Sequence, residues 1–151
     1  MTSIQKTKQL TIRRAKLGDA PRIADLAGQL GYPSTAAQIR RRFRTLQPAS
    51  QNAVFVADSP SEGVVGWVHV SKEPLLDVDV RGEINGLVVA EGQRSLGAGA
   101  LLMAAAEDWA RKRGCKGMSV RSNVIRERAH QFYERCGYVH YKTQKSFRKF
   151  F

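Results

Sequence analysis

The residues Gln93-Arg94-Ser95-Leu96-Gly97-Ala98-Gly99 stand directly before an alanine- and leucine-rich helix. A helix start leaves its first N–H donors without acceptors and carries about half a positive charge. Gly97 and Gly99 would let an anion reach that backbone, and Arg94 could add a charge-assisted contact. The chemistry this suits is the binding of a phosphate or pyrophosphate, and so of a phosphorylated cofactor. Taken alone, the same residues could equally form a plain turn into a helix. They are not a P-loop, because no Gly-Lys-Ser/Thr follows. They are a poor dinucleotide fingerprint, because Leu102 stands where a third glycine belongs.

The element before this turn is the apolar run Ile84-Asn85-Gly86-Leu87-Val88-Val89, a strand expected over residues 83–89. The element after it is a helix expected over 96–113, anchored on a sheet by Leu101, Ala105 and Trp109 and ended by Gly114. A strand at 117–122 and a helix at 125–136 follow, and Asn123 falls where that strand ends. The helix puts Ala129, Phe132, Tyr133 and Cys136 on one face, so spacing alone makes Tyr133 a core residue. His130 is rotated about 100° from Tyr133 and faces elsewhere.

Upstream, Leu10-Thr11-Ile12-Arg13 reads as a short strand. Asp19 is placed to N-cap a helix with Pro21 in its first turn and a stripe of Ile23, Leu26, Ala27 and Leu30, closed by Gly31 and Pro33. Thr35 and Gln38 have capping-box spacing for a second helix with the stripe Ile39, Phe43 and Leu46. Residues 53–57 and 64–70 form a hairpin, and 72–81 a longer loop. Residues 138–151 could supply one or two more strands. The sum is an α/β (α+β) chain: a mixed, largely antiparallel central sheet of six to seven strands flanked by about four helices. One domain is expected over 1–151, with 1–8 disordered.

Two motifs, Arg-x-x-Gly-x-Gly after a Leu-Val-Val strand and then Ala-His-x-Phe-Tyr-Glu-x-x-Gly-Tyr after Asn123, resemble the GNAT superfamily of acetyl-CoA-dependent N-acetyltransferases. The order of elements from Leu10 onward agrees with the GNAT-like acyl-CoA N-acyltransferase fold. Gly31-Tyr32-Pro33 and the Ala-His-x-Phe-Tyr helix are similar to members grouped with aminoglycoside acetyltransferases. The resemblance implies that Gln93, Arg94, Ser95, Leu96, Gly97, Ala98 and Gly99 wrap the coenzyme A pyrophosphate. It implies that Leu87, Val88 and Val89 pair their backbone with the pantetheine arm, as an added strand would. The fourth and fifth strands would splay to admit the arm, with Asn123 touching it.

The same resemblance gives Tyr133 the role of acid and Glu83 that of base. A phenol with pKa about 10 can deliver a proton as charge develops on a departing thiolate. Glu83 could take the amine's proton directly or through water. It could instead be a solvated strand end, a rim salt bridge or a recognition group. His69 on the neighbouring strand is its rival. The implied mechanism is direct transfer in a ternary complex, with N–H groups near Val88 polarising the thioester carbonyl. A covalent route through Cys115 or Cys136 is not expected, and neither is a metal. Both cysteines lack CxxC spacing and read as reduced, buried thiols.

The chain carries a net charge of +12, which suits anionic partners. Within it, Glu73, Asp77, Asp79 and Glu83 form an acidic island in a chain with only 13 acids. Carboxylates there would favour a cationic amine acceptor such as an aminoglycoside, a polyamine or a lysine side chain. They would equally balance nearby cations. Two other classes stay open: a non-catalytic acetyl-CoA-binding regulatory module, and a nucleic-acid-binding protein using Arg40-Arg41-Arg42-Phe43-Arg44 and the basic residues after Tyr141. No recognised nucleic-acid motif accompanies those cations. No apolar run approaches the roughly 18 residues of a membrane span, and the first nine residues lack a signal-peptide core. A cytoplasmic protein, possible as a homodimer, is the resulting expectation.

Overall fold

A computed structural model describes residues 9–46 and 49–151. The expected disorder at 1–8 lies outside the described residues. The chain divides into two compact units, one running to Arg121 and the other from Ser122 to Phe151.

The first unit is a sheet with helices on it. Strands β1 (Thr11–Arg14), β2 (Asn52–Ser59), β3 (Gly63–Glu73), β4 (Arg81–Val89) and β5 (Met118–Val120) lie side by side in chain order. The first four pair antiparallel and β5 joins β4 in parallel. Helices α1 (Ala20–Leu30) and α2 (Ala36–Thr45) connect β1 to β2, and α3 (Ala98–Lys112) connects β4 to β5. Val64, Val65, Val68 and Val70 of β3 are all buried. Adjacent strand residues point to opposite faces, so β3 is covered on both. α3 packs on β2, β3 and β4, and α1 on β3 and β4.

Local chemistry explains the helix ends. Thr35 accepts from the Gln38 amide and Gln38 reaches back to the Thr35 amide, the capping box expected for α2. Asp19 does not cap α1 with its side chain. Its carboxylate instead takes both terminal nitrogens of Arg13, at 2.8 and 2.9 Å, and the Lys16 amide at 2.8 Å. A bidentate guanidinium outcompetes a single backbone N–H for those oxygens, and it holds the Asp19 carboxyl below its ordinary range. Gly31, at φ 97°, ends α1 in the left-handed conformation.

The stripe of α3 differs from expectation. Gly99, Leu102, Met103, Ala106, Trp109 and Ala110 are buried, whereas Leu101 is exposed and Ala105 only half-buried. Two helical stripes coexist in this alanine-rich segment, and the one with Leu102, Met103 and Ala106 faces the core.

The second unit holds α4 (Glu127–Arg135). No strand forms at 138–151, so the sheet of the described residues has five strands rather than six to seven. A strand exists only where a neighbour satisfies its backbone, and none pairs with this segment.

Candidate functional site

The end of β4 is the best-defined part of the site. β5 pairs with β4 only at Gly82–Ile84, against Met118–Val120. Beyond Ile84 the ladder on that side stops, while Leu87, Val88 and Val89 stay paired with Val68, Trp67 and Gly66 of β3. The register shifts where His69 opposes Gly86 and Val70 opposes Ile84, so Asn85 is a bulged extra residue. The Ala90 amide donates to Val65 on β3. Strand alternation then directs the amides of Leu87 and Val89, rather than that of Val88, to the open edge.

The turn that follows is a 3-10 helix, Glu91–Leu96. The side chains of Ser95 and Leu96 lie outside the described residues. Gly97 joins this turn to α3 at φ 77°, a left-handed conformation that favours glycine, and a Cβ there would meet nothing within 4 Å. The backbone at the head of α3 is therefore approachable. Ala98 and Gly99 are buried against the sheet. Arg94 Nε donates to the Val89 carbonyl at 3.3 Å, tying the turn back to the strand. Gln93 is half-buried, and its Oε1 has no partner among the described residues. A buried carbonyl without a donor is costly, and an N–H-bearing ligand along this edge would relieve it.

Glu83 is buried, 5% exposed. Arg121 Nε stands 3.4 Å from its Oε1. Glu83 opposes Ser71 on β3 and Ser119 on β5. Ser71, opposite it, and Asn85, two residues on, were not singled out in the sequence and join Glu73 in a hydrogen-bonded chain. Asn85 Nδ2 donates to Ser71 Oγ at 2.7 Å, and Ser71 Oγ donates to Glu73 Oε1 at 2.7 Å. Trp67, His69, Ser71 and Glu73 alternate onto one face of β3. The hairpin register was the only available signal for this row, and the bulge at Asn85 shifts it.

His69 is occupied elsewhere: its Nε2 pairs with Asn52 Oδ1 at 3.1 Å, and burial lowers its pKa, with Glu73 opposing that shift. The acidic island does not form one wall. Glu73 ends β3 and Glu83 lies within β4, while Asp77 and Asp79 sit in the exposed loop 74–80. Burial pushes the Cys115 thiol up, away from the reactive thiolate. Cys115 and Cys136 are both half-buried thiols, not the fully buried ones expected.

In the second unit, Tyr133 is half-buried on α4. Its ring meets Phe132 edge-on at 5.5 Å and Tyr138 at 6.2 Å. Burial raises its pKa, so the phenol stays protonated well into alkaline solution. Asn123 does not lie in β5. Its Oδ1 accepts from the Ile125 amide at 3.2 Å and its carbonyl meets His130 Nε2 at 2.9 Å, so both residues shape the entry to α4.

The fold has counterparts among solved structures. In solved structures, the aminoglycoside N-acetyltransferase AAC(6')-Iy in complex with CoA superposes with a TM-score of 0.84 at 17% identity, over 97% of this chain and 98% of that one. Glucosamine-6-phosphate N-acetyltransferase from Arabidopsis thaliana gives 0.75 at 22% identity, over 93% and 98%. A transcriptional regulator from Bacillus halodurans C-125 gives 0.79 at 26% identity, over 92% and 100%. No curated protein matches the chain. The model of the acetyltransferase (GNAT) family matches residues 24–138, which include β4, the glycine turn and the Tyr133 helix, and the chain belongs to that family.

Proposed function

We propose that the protein transfers the acetyl group of acetyl-CoA to a primary amine by direct attack in a ternary complex. The observation that carries this reading is the open edge of β4 beyond Ile84, running into a helix start made approachable by Gly97. Leu87 to Val89 would hold the pantetheine arm through backbone groups. Gln93 to Gly99 would hold the pyrophosphate, and Asn123 and Tyr133 would complete the cofactor site. Bound there, acetyl-CoA supplies an activated acyl group.

The chain's residues then divide the proton chemistry. Glu83 takes a proton from the acceptor ammonium, directly or through water. The amides of Leu87 and Val89 stabilise charge on the thioester oxygen as the N–C bond forms. Tyr133 donates its proton to sulfur as the C–S bond breaks, and its raised pKa keeps that proton in place until then. Glu83 and Glu73 on adjacent strands favour a cationic acceptor, in the manner of an aminoglycoside or polyamine. The aminoglycoside acetyltransferase superposition supports the same class.

One observation favours a second reading. The superposed structure of 26% identity is a transcriptional regulator, and a regulatory role would suit a module that binds acetyl-CoA without turnover. Among the described residues no helix is long and apolar enough to cross a membrane. A cytoplasmic homodimer belongs to the proposed reading.

The experiment is a coenzyme A release assay with acetyl-CoA and a panel of aminoglycosides, polyamines, amino acids and lysine peptides. Turnover with a cationic class is expected. No turnover alongside clear calorimetric binding of acetyl-CoA would favour the regulatory module.

A further inference from the structure

The C-terminal end of α3 carries charge that the acetyltransferase reading does not use. Arg113, the residue after the helix, lays its guanidinium over the Trp109 ring at 4.5 Å. On β1, Arg14 lies over the Phe55 ring at 5.4 Å. Phe55 is its partner across the β1–β2 ladder, and α3 packs on both strands. A ring beneath a guanidinium covers one face and leaves the N–H edge free to donate. Those edges are largely unspent. The Arg14 side chain makes no ion pair among the described residues. Arg113 Nε is buried without an acceptor, and its Nη1 reaches only the Trp109 carbonyl at 3.5 Å. Burial lowers the Arg14 pKa, and the charge of Arg113 lowers it further. Burial raises the Cys115 thiol, and Lys72 and Arg113 oppose that rise. Arg14, Arg113 and Lys72 thus gather at this end of the helix with no carboxylate paired to them among the described residues.

We propose that Arg14 and Arg113 form a binding site for a small phosphate monoester, held as its dianion by the N–H edges of the two guanidiniums. Like charges drawn partly out of water repel one another. A dianion cancels both, whereas a chloride or a monocarboxylate leaves one uncancelled. The planar fork of arginine also matches phosphate oxygens in pairs. Lys72 adds positive charge at the rim. The pyrophosphate of coenzyme A is a different ligand from this one. The 15 residues of α3 put about 22 Å between Arg113 and the glycine turn at its other end. The proposal therefore stands apart from the acetyltransferase reading.

The test uses inorganic phosphate as the probe on the full chain, with and without saturating coenzyme A. Thermal melts at pH 7.5 compare sodium phosphate with sodium chloride of equal ionic strength. Phosphate excluded from a protein surface stabilises the fold without any site, so the site is read from the part of the shift that saturates. Half-saturation is expected at about 1–10 mM phosphate. A rise in Tm of about 3–6 °C is expected at ten times that concentration. Coenzyme A should leave this rise in place. Arg14→Gln and Arg113→Gln should each remove the saturable part, and Arg14→Lys, which keeps the charge and loses the fork, should retain some of it. Circular dichroism checks that each variant folds. Absence of a saturable shift in the wild type, or a shift that both glutamine variants retain, would overturn the proposal. So would a saturable shift that coenzyme A abolishes. Binding of a labelled oligothymidylate that the same variants lose, in place of a saturable phosphate shift, would overturn it in favour of a nucleic-acid backbone. Calorimetry of acetyl-CoA on the same preparations reads the acetyltransferase proposal separately, so the two can fail independently.

Discussion

Helices α3 and α4 share an amphipathic design and differ in how they are held. α3 buries seven residues, three of them (Ala98, Leu102 and Ala106) without measurable exposure, whereas no residue of α4 is fully buried. The part of the site that would bind a pyrophosphate is fixed by the core of the sheet. The part that carries the candidate acid is fixed by its own ring contacts and by backbone bonds such as Tyr138 N to Tyr133 O at 3.0 Å. The proposed binding and proton-delivery roles therefore fall on regions of different depth, and substitutions should separate them.

The largest contrast is in stability. Leu102→Ala removes a wholly buried side chain beneath the sheet and should destabilise the protein by about 2–5 kcal/mol. Phe132→Ala, from a half-buried position on α4, should cost no more than about half of that. Urea denaturation of both variants checks the ratio, and equal losses would remove the contrast.

Function should divide differently. Tyr133→Phe is expected to lower kcat by about 10–1000-fold while acetyl-CoA affinity changes less than about twofold. Because the Tyr133 pKa is raised, wild-type activity should not fall through the usual tyrosine range near pH 10. Unchanged turnover in Tyr133→Phe would remove this residue from the mechanism. Gly97→Val should do the reverse. A β-branched residue at φ 77° is strained by about 1–3 kcal/mol, and it fills the approach to the helix start. Acetyl-CoA binding should weaken about 10–100-fold by calorimetry, and kcat at saturating cofactor should change far less.

What the sequence disclosed follows the same division. Strand β4, the glycine-opened helix start and the Thr35–Gln38 box were legible because each depends on local residue chemistry. The bulge at Asn85 was not, because a register shift is a property of two strands together. The choice of Leu102 over Leu101 as the buried leucine depends on which face α3 turns to the sheet, which no periodicity count contains when both faces are apolar. Residues 138–151, expected to supply one or two more strands, form none without a partner. The hydrogen-bonded chain from Asn85 through Ser71 to Glu73, with Ser71 opposite Glu83, emerged only from the fold.

The smallest expected effect concerns His69. Its pKa is lowered in the folded state, so the unfolded chain binds more protons near pH 6.5 and below. The stability this histidine contributes is present above that pH and is lost as pH falls towards the folded value. Thermal melts from pH 7.5 to 5 should show a shallow decline that His69→Gln flattens. A steeper decline in the variant would contradict the assignment.

The central claim is that the β4 edge and the glycine turn hold the cofactor. Isothermal titration of acetyl-CoA into the wild-type chain and Gly97→Val tests it most directly. Saturable one-to-one binding by the wild type, in the range of about 1 μM to 1 mM typical of enzyme substrates, and its marked weakening in the folded variant are predicted. Absence of binding by the wild type, or equal binding by both, would contradict the account.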